Sequence, residues 1–333
     1  MKRESILVTG GAGFIGSHLA QQLLQAGHRV VVLDDLSGGF ADNVPKGAEF
    51  VQGSILDVPL LENLFKTHRF QVVYHLAAYA AEGLSHFIKH FNYQNNLIGS
   101  VNLINQSILN KIRCFVFTSS IAVYGEIPPP MRESDTPVPE DPYGIAKLAV
   151  EMELRVSAHQ FGLNYVIFRP HNVYGEHQNL SDRYRNVIGI FMNQIMQKKP
   201  LSVFGDGLQT RAFSYVADIV EPMARCIDMP ETYGQVFNIG ADRAYTVKEL
   251  ATVVQEAMGL KQDILHLPPR NEVLHANADH SKLKTFFGEV RQTELREGLQ
   301  KMADWAKKHG PREPSKFGKI EIHEGLPSFW AQS

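Results

Sequence analysis

The chain has 333 residues, 44% of them hydrophobic and 20% charged, with 33 Lys+Arg against 35 Asp+Glu and a net charge of −2. This is the composition of a globular protein long enough to bury a large core, and it excludes a general nucleic-acid binder, because no surplus of positive charge exists to gather phosphates. Two cysteines, Cys114 and Cys226, make neither a zinc site nor a disulfide framework, no apolar run approaches the ~18 residues that span a bilayer, and Met1-Lys2-Arg3-Glu4-Ser5 carries no apolar leader, so the expectation is a cytoplasmic protein with no metal and no membrane partner.

Ile6-Leu7-Val8 reads as a short buried strand, and residues 14–26 read as a helix. Between them lies Val8-Thr9-Gly10-Gly11-Ala12-Gly13-Phe14-Ile15-Gly16, which satisfies G-x-G-x-x-G through Gly11, Gly13 and Gly16. Glycines there allow a tight turn and let backbone N–H groups approach a pyrophosphate at a helix N-terminus. A Gly-rich turn can also be only a turn, but here a strand precedes it and a helix follows. Val30-Val31-Val32-Leu33 is the second strand, and Asp34 ends it, 18 residues after Gly16. A carboxylate at that place accepts hydrogen bonds from an adenosine ribose and repels a 2′-phosphate, which favours NAD over NADP.

Further on, Phe50-Val51, Val72–Leu76 and Cys114–Phe117 read as strands, and 61–68 and 93–110 as helices. Short apolar strands alternating with helices predict an α/β fold with a doubly wound, mostly parallel sheet. A loop from Pro128 to Pro142 holds six of the 17 prolines, too many for a regular element. A helix over 143–161 and the strand Tyr165–Phe168 follow; beyond Tyr174, 187–198 and 246–258 look helical and Ser202–Phe204 extended. The division expected is 1–175 as a nucleotide-binding domain, with segments near 215–240 returning to it, and 176–333 as mainly a smaller lobe.

Tyr143 and Lys147 stand at i and i+4 on one helix face. A nearby ammonium favours the phenolate, so Tyr143 is a candidate base. Ser120 follows a strand ending in Thr118-Ser119, where doubly wound sheets bind ligands. It could share a substrate hydroxyl with Tyr143, or simply cap its turn.

In this order and spacing, Gly10–Gly16, Asp34, Ser120 and Tyr143/Lys147 resemble the extended short-chain dehydrogenase/reductase superfamily. His75-Leu76-Ala77-Ala78, Asn95–Ser100, Ser119–Gly125, Arg169–Gly175, Gly205–Arg211 and Phe237–Gly240 are similar to its nucleotide-sugar branch, which includes the UDP-glucose 4-epimerases. The resemblance implies a Rossmann-type sheet, tightly held NAD and a small C-terminal lobe that grips a nucleotide sugar. By matching positions, it places Gly10, Gly13, Phe14, Ile15 and Gly16 at the pyrophosphate and Asp34 at the ribose, with Asp35 and Ser37 nearby. It also places Ser54, Ile55, Ala77, Ala78, Tyr79 and Asn95 beside the cofactor, and Tyr143 and Lys147 at the nicotinamide ribose. Ser120, Tyr143, Asn172, Arg211 and Arg270 are implied for the substrate, with Arg270 open to being a solvated loop residue. Ser54 stands where relatives commonly have Asp. Glu82, His86, Lys89 and His90 either shape an unusual sugar pocket or form an exposed polar helix start.

The reaction implied is C4 epimerisation of a UDP-sugar (UDP-glucose, UDP-glucuronate or a UDP-N-acetylhexosamine) through a 4-keto intermediate, in a homodimer. Relatives that remove water or carbon dioxide carry acidic residues after the active-site hydroxyl, where this chain has Ile121 and Ala122. UDP-glucuronate decarboxylase or another dehydratase or epimerase of the superfamily is the alternative. An NAD-binding scaffold or sensor is the non-enzymatic one.

Overall fold

The computed structural model describes residues 3–269, 273–311 and 317–331. Seven parallel strands form the central sheet, and the first six arise in the order the apolar runs dictate. They are β1 (Ser5–Thr9), β2 (Arg29–Asp34), β3 (Glu49–Gln52), β4 (Val72–His75), β5 (Cys114–Thr118) and β6 (Tyr165–Pro170). Helices α1 (Phe14–Gln25), α2 (Val58–His68), α3 (Glu82–Ser85), α4 (Lys89–Tyr93), α5 (Gly99–Leu109) and α6 (Pro142–Phe161) connect them. Further along come β7 (Val173–Tyr174), α7 (Val187–Met196), β8 (Leu201–Phe204), β9 (Thr210–Ala212), β10 (Ser214–Tyr215) and α8 (Val216–Arg225). The seventh strand is β11 (Gln235–Ile239), and the spatial order is β11-β6-β5-β4-β1-β2-β3. The fold is Rossmann-type. In the inner strands and β2 nearly every residue is buried because helices cover both faces, which is why they read as continuous apolar runs, whereas edge strand β3 has no buried residue.

The order reverses between β1 and β4, so a crevice opens at their carboxyl ends. Over it stands a smaller lobe containing α7, β8, β9, β12 (Ala244–Thr246), α9 (Val247–Met258), β13 (Ile264–Leu267) and β14 (His275–Ala276). Two small sheets organise it, β12-β9-β14 and β13-β8. Helices α10 (Ser281–Phe287) and α11 (Leu295–His309) complete the packing, and a last short helix, α12 (Ser328–Ala331), ends the described chain. The single helix expected over 93–110 is in fact broken. Residues Gln94–Ile98 form a π-helical turn between α4 and α5. Such turns are scarce and gather at functional sites. No helix among the described residues is long and apolar enough to cross a membrane.

Candidate active site

A cavity of about 530 Å³ lies between sheet and lobe, within the size range of small-molecule sites. Its floor is the glycine turn. A Cβ on Gly10 would lie 2.7 Å from the Ala77 amide nitrogen, and one on Gly16 would lie 2.2 Å from the Gly10 carbonyl oxygen. Only bare backbone fits these approaches, so α1 packs tightly enough to aim its N-terminus into the cavity. Asp34 is buried there, accepting from the amides of Ala12 (3.0 Å) and Leu36 (2.8 Å). Burial raises its pKa, and those amide bonds oppose the rise. The turn offers backbone donors for a pyrophosphate and a carboxylate for a ribose, a donor set that fits a dinucleotide.

Gly10, Gly13, Phe14, Ile15, Gly16, Asp34, Asp35, Ser37, Ile55, Ala77, Ala78, Tyr79 and Asn95 all line the cavity. Ser54 does not; its hydroxyl faces its own turn and accepts from the Leu56 amide at 3.2 Å, while its neighbours Gly53 and Ile55 form the wall. Ser120, Tyr143, Lys147, Asn172 and Arg211 also line it. Arg211 donates to the carbonyls of Thr210 (2.8 Å) and Leu274 (3.0 Å), which joins β9 to β14. Asn172 takes a positive φ of 37°, and its carbonyl accepts from the Ser214 amide. Arg270 lies outside the described residues. Of the four unusual polar residues, Glu82 and His86 line the cavity, whereas Lys89 and His90 are exposed and away from it. Among the described residues no cluster of His, Cys, Asp or Glu could hold a metal ion.

The candidate base is built from two elements. Helix α6 starts with Pro142 and is capped by Asp141, whose Oδ1 accepts from the Gly144 amide at 2.9 Å. That fixes Tyr143 in the first turn and Lys147 one turn on. Strand β5 delivers Ser120, whose Oγ accepts from the Ala122 amide (3.1 Å) and hydrogen-bonds Tyr143. Ser120 therefore caps its turn beside the tyrosine.

One expectation requires correction. The Tyr143 pKa is not lowered, and Lys147 is not among its chief influences. The phenol is shifted up, first by burial and then by the Glu82 carboxylate, and the Ser120 hydrogen bond is the chief opposing influence. Lys147 turns its Nζ to the Thr118 carbonyl (2.8 Å) and lies 5.7 Å from the Tyr143 ring centroid. Burial pushes its own pKa down to about 7, partly offset by Glu151, so near neutrality it is only partly charged.

Other buried polar residues hold the site in place. Arg169 grips Glu151 through two bonds, Nε to Oε1 at 2.9 Å and Nη2 to Oε2 at 2.5 Å, and Ser119 donates to the same carboxylate at 2.6 Å. This locks α6, β5 and β6 together directly behind Ser120 and Lys147. Ser100 of α5 donates to the Asn96 carbonyl and so accepts from Nε2 of His75 on β4, which leaves Nδ1 to accept from Thr9. His75 is neutral, with burial lowering its pKa to about 3. It anchors the segment leading to Ala77. Asn96 holds both backbone groups of Tyr79 (2.9 and 3.1 Å) and donates to Asn92, which in turn donates to the Pro142 carbonyl. The π-helical turn thereby couples the cavity wall at Tyr79 to the start of α6.

A profile of the NAD dependent epimerase/dehydratase family matches residues 6–240. A UDP-glucose 4-epimerase of Mycolicibacterium smegmatis is 34% identical over 307 residues, covering 90% of this chain and 97% of its own. The crystal structure of UDP-glucose 4-epimerase from Thermotoga maritima with UDP-glucose superposes with a TM-score of 0.87 at 36% identity, over 92% of this chain and 99% of that one. UDP-glucuronic acid 4-epimerase from Bacillus cereus, in complex with UDP-glucuronic acid and NAD, gives 0.85 at 30% identity, over 92% and 99%. The chain belongs to the NAD dependent epimerase/dehydratase family.

Proposed function

We propose that this member of the NAD dependent epimerase/dehydratase family inverts C4 of a UDP-sugar. The observation that carries this reading is the meeting of Ser120, Tyr143 and Lys147 at one end of the cavity whose other end is the glycine turn and Asp34. The glycine turn, Asp34, Ala77–Tyr79, Asn95, Tyr143 and Lys147 would hold NAD, and Asn172 and Arg211 would hold the diphosphate of the substrate. When bound, NAD supplies a hydride acceptor and donor at one position.

The protein's part is proton handling and orientation. Tyr143 takes the proton of the sugar 4-hydroxyl through Ser120, then returns it after the 4-keto sugar has turned over. Burial and the Glu82 carboxylate favour the protonated phenol, so positive charge beside it is what would make it a base. Protonated Lys147 would supply such charge, as would a bound oxidised nicotinamide. Arg211 suits the phosphate because its fork meets two oxygens at once.

Ile121 and Ala122 line the cavity next to Ser120 and carry no titratable group. Loss of water or carbon dioxide after C4 oxidation therefore lacks an acid or base at that place. Incubation with UDP-glucose, UDP-glucuronate and UDP-N-acetylglucosamine, followed by proton NMR and mass measurement, tests this. The expected product is the C4 epimer of unchanged mass. A main product lighter by water or carbon dioxide would support the dehydratase or decarboxylase alternative, with Glu82 as the acid.

We also propose a cytoplasmic homodimer. Ile145, Met152 and Val156 form an exposed apolar stripe on α6, and Leu109 at the end of α5 is 73% exposed. A second copy of the same faces would cover them. Light scattering should give a dimer at micromolar concentration, and Met152→Glu with Val156→Glu should give a monomer. An unchanged mass in that variant would place any interface elsewhere.

A further inference from the structure

Residues 317–331 pack behind the cavity wall and touch residues that line both of its sides. On the nucleotide-binding side, the Phe317 ring lies 5.1 Å from that of Tyr79 and 4.9 Å from that of Phe91. Glu321 places both carboxylate oxygens on the N-terminus of α4, accepting from the amides of His90 and Phe91 at 2.8 Å each. Its own amide donates to the Phe87 carbonyl at 2.9 Å. On the lobe side, Trp330 meets Tyr184 edge-on at 5.5 Å, and Phe329 meets Phe204 at 6.3 Å. Trp330 also reaches back to Phe87 and is 5% exposed.

Tyr79, Phe91, Tyr184 and Phe204 all line the cavity, and no described residue of 317–331 does. The segment therefore shapes the pocket from behind. It ties the 79–91 wall, which no sheet strand supports, to two residues of the opposite lobe. Its contacts are edge-on and tilted aromatic pairs and two charge-assisted hydrogen bonds, and together they oppose separation of the two sides.

We propose that this C-terminal strap holds the cleft shut around the sugar, with Phe317, Glu321 and Trp330 as positioning residues that retain the oxidised sugar until it is reduced. The inference rests on the epimerase reading. In that reaction the C4 hydrogen leaves as hydride to NAD and the hydroxyl proton goes to Tyr143. If the ketone escapes, the hydride remains on NADH and the proton on the protein, and the site is stalled. Retention is therefore a requirement of the cycle, and it is a property of the walls and not of the base.

The test compares the full chain with Trp330→Ala, Glu321→Ala and a form ending at Gly310, all loaded with NAD. The variants should start with wild-type NAD content. During turnover of the sugar that the wild type epimerises, they should show a rise in NADH absorbance, loss of activity in proportion to turnovers, and a KM raised about tenfold with a smaller change in initial kcat. A role in stability alone would lower the melting temperature without NADH build-up. Wild-type KM and no NADH accumulation in the folded Trp330→Ala and Glu321→Ala proteins would overturn the proposal, whatever the truncated form does. Should the wild type turn over no UDP-sugar, the epimerase reading fails. The strap is then judged by hydrogen exchange of residues 82–93: exchange at least tenfold faster in Glu321→Ala supports it, and unchanged protection overturns it.

Discussion

Tyr143→Phe should fold, keep its NAD and lose turnover by about 10²–10⁴-fold, the range expected for a positioned acid–base group. In barrier terms that is ~3–5 kcal/mol. The substitution removes one oxygen whose known partner within the protein is Ser120, and the ring keeps its buried place at the start of α6. The stability cost is therefore about that of one hydrogen bond, ~1 kcal/mol. Ser120→Ala should lose less, on the order of tenfold, because it deletes a bridging hydrogen bond and leaves the base. Steady-state rates on the purified variants, with bound NAD measured after denaturation, decide the matter. A Phe variant within a few-fold of wild type would remove Tyr143 from the mechanism.

The second large effect is expected at Gly16. An added methyl would meet the Gly10 carbonyl oxygen at 2.2 Å, its carbon at 2.8 Å and the Gly11 Cα at 2.9 Å. All three are backbone atoms of the turn itself, so no side chain can swing aside. Either α1 backs away or the turn deforms, and each outcome pulls amide donors off the cofactor. Gly16→Ala should lose NAD by more than a hundredfold in affinity and ~1–3 kcal/mol in stability. Gly318→Ala is the control, since a Cβ there meets nothing within 4 Å. Calorimetric titration of the emptied proteins with NAD gives the comparison. Near-equal affinity of Gly16→Ala and wild type would mean that this turn is not the pyrophosphate cradle.

The sequence carried the sheet because burial on both faces makes strands apolar throughout, and β1, β2, β4, β5 and β6 are such runs. It carried the glycine turn, Asp34 and the Tyr143–Lys147 pair because each depends on spacing along one element. The residues that brace the site were not legible. Glu151 and Arg169 are 18 positions apart in sequence, and nothing local distinguishes a buried carboxylate on α6 from a solvated one. Asn92 and Asn96 look like surface amides; only the π-helical turn directs them inward. Spacing does not carry the state of Tyr143 and Lys147 either, since burial is the largest influence on both and only tertiary packing sets burial. The strap is aromatic but aperiodic, so it gives no signature of either regular element.

The last strand of the sheet comes late. β11 pairs with β6 over five residues, Gln235 with Val166 through Ile239 with Pro170, although 64 residues lie between Pro170 and Gln235 in sequence. While the chain emerges from a ribosome, β6 stands with an open edge until the whole intervening stretch has been made. Asn238 then seals the join, taking the Tyr124 hydroxyl at 2.8 Å and donating to the Met131 carbonyl at 3.0 Å. Unpaired edges recruit other chains, and pairings between distant segments close slowly. The hazard of misassembly during synthesis is therefore concentrated in this interval, and a gene cut after residue 175 would release a fragment whose sticky edge has no partner of its own.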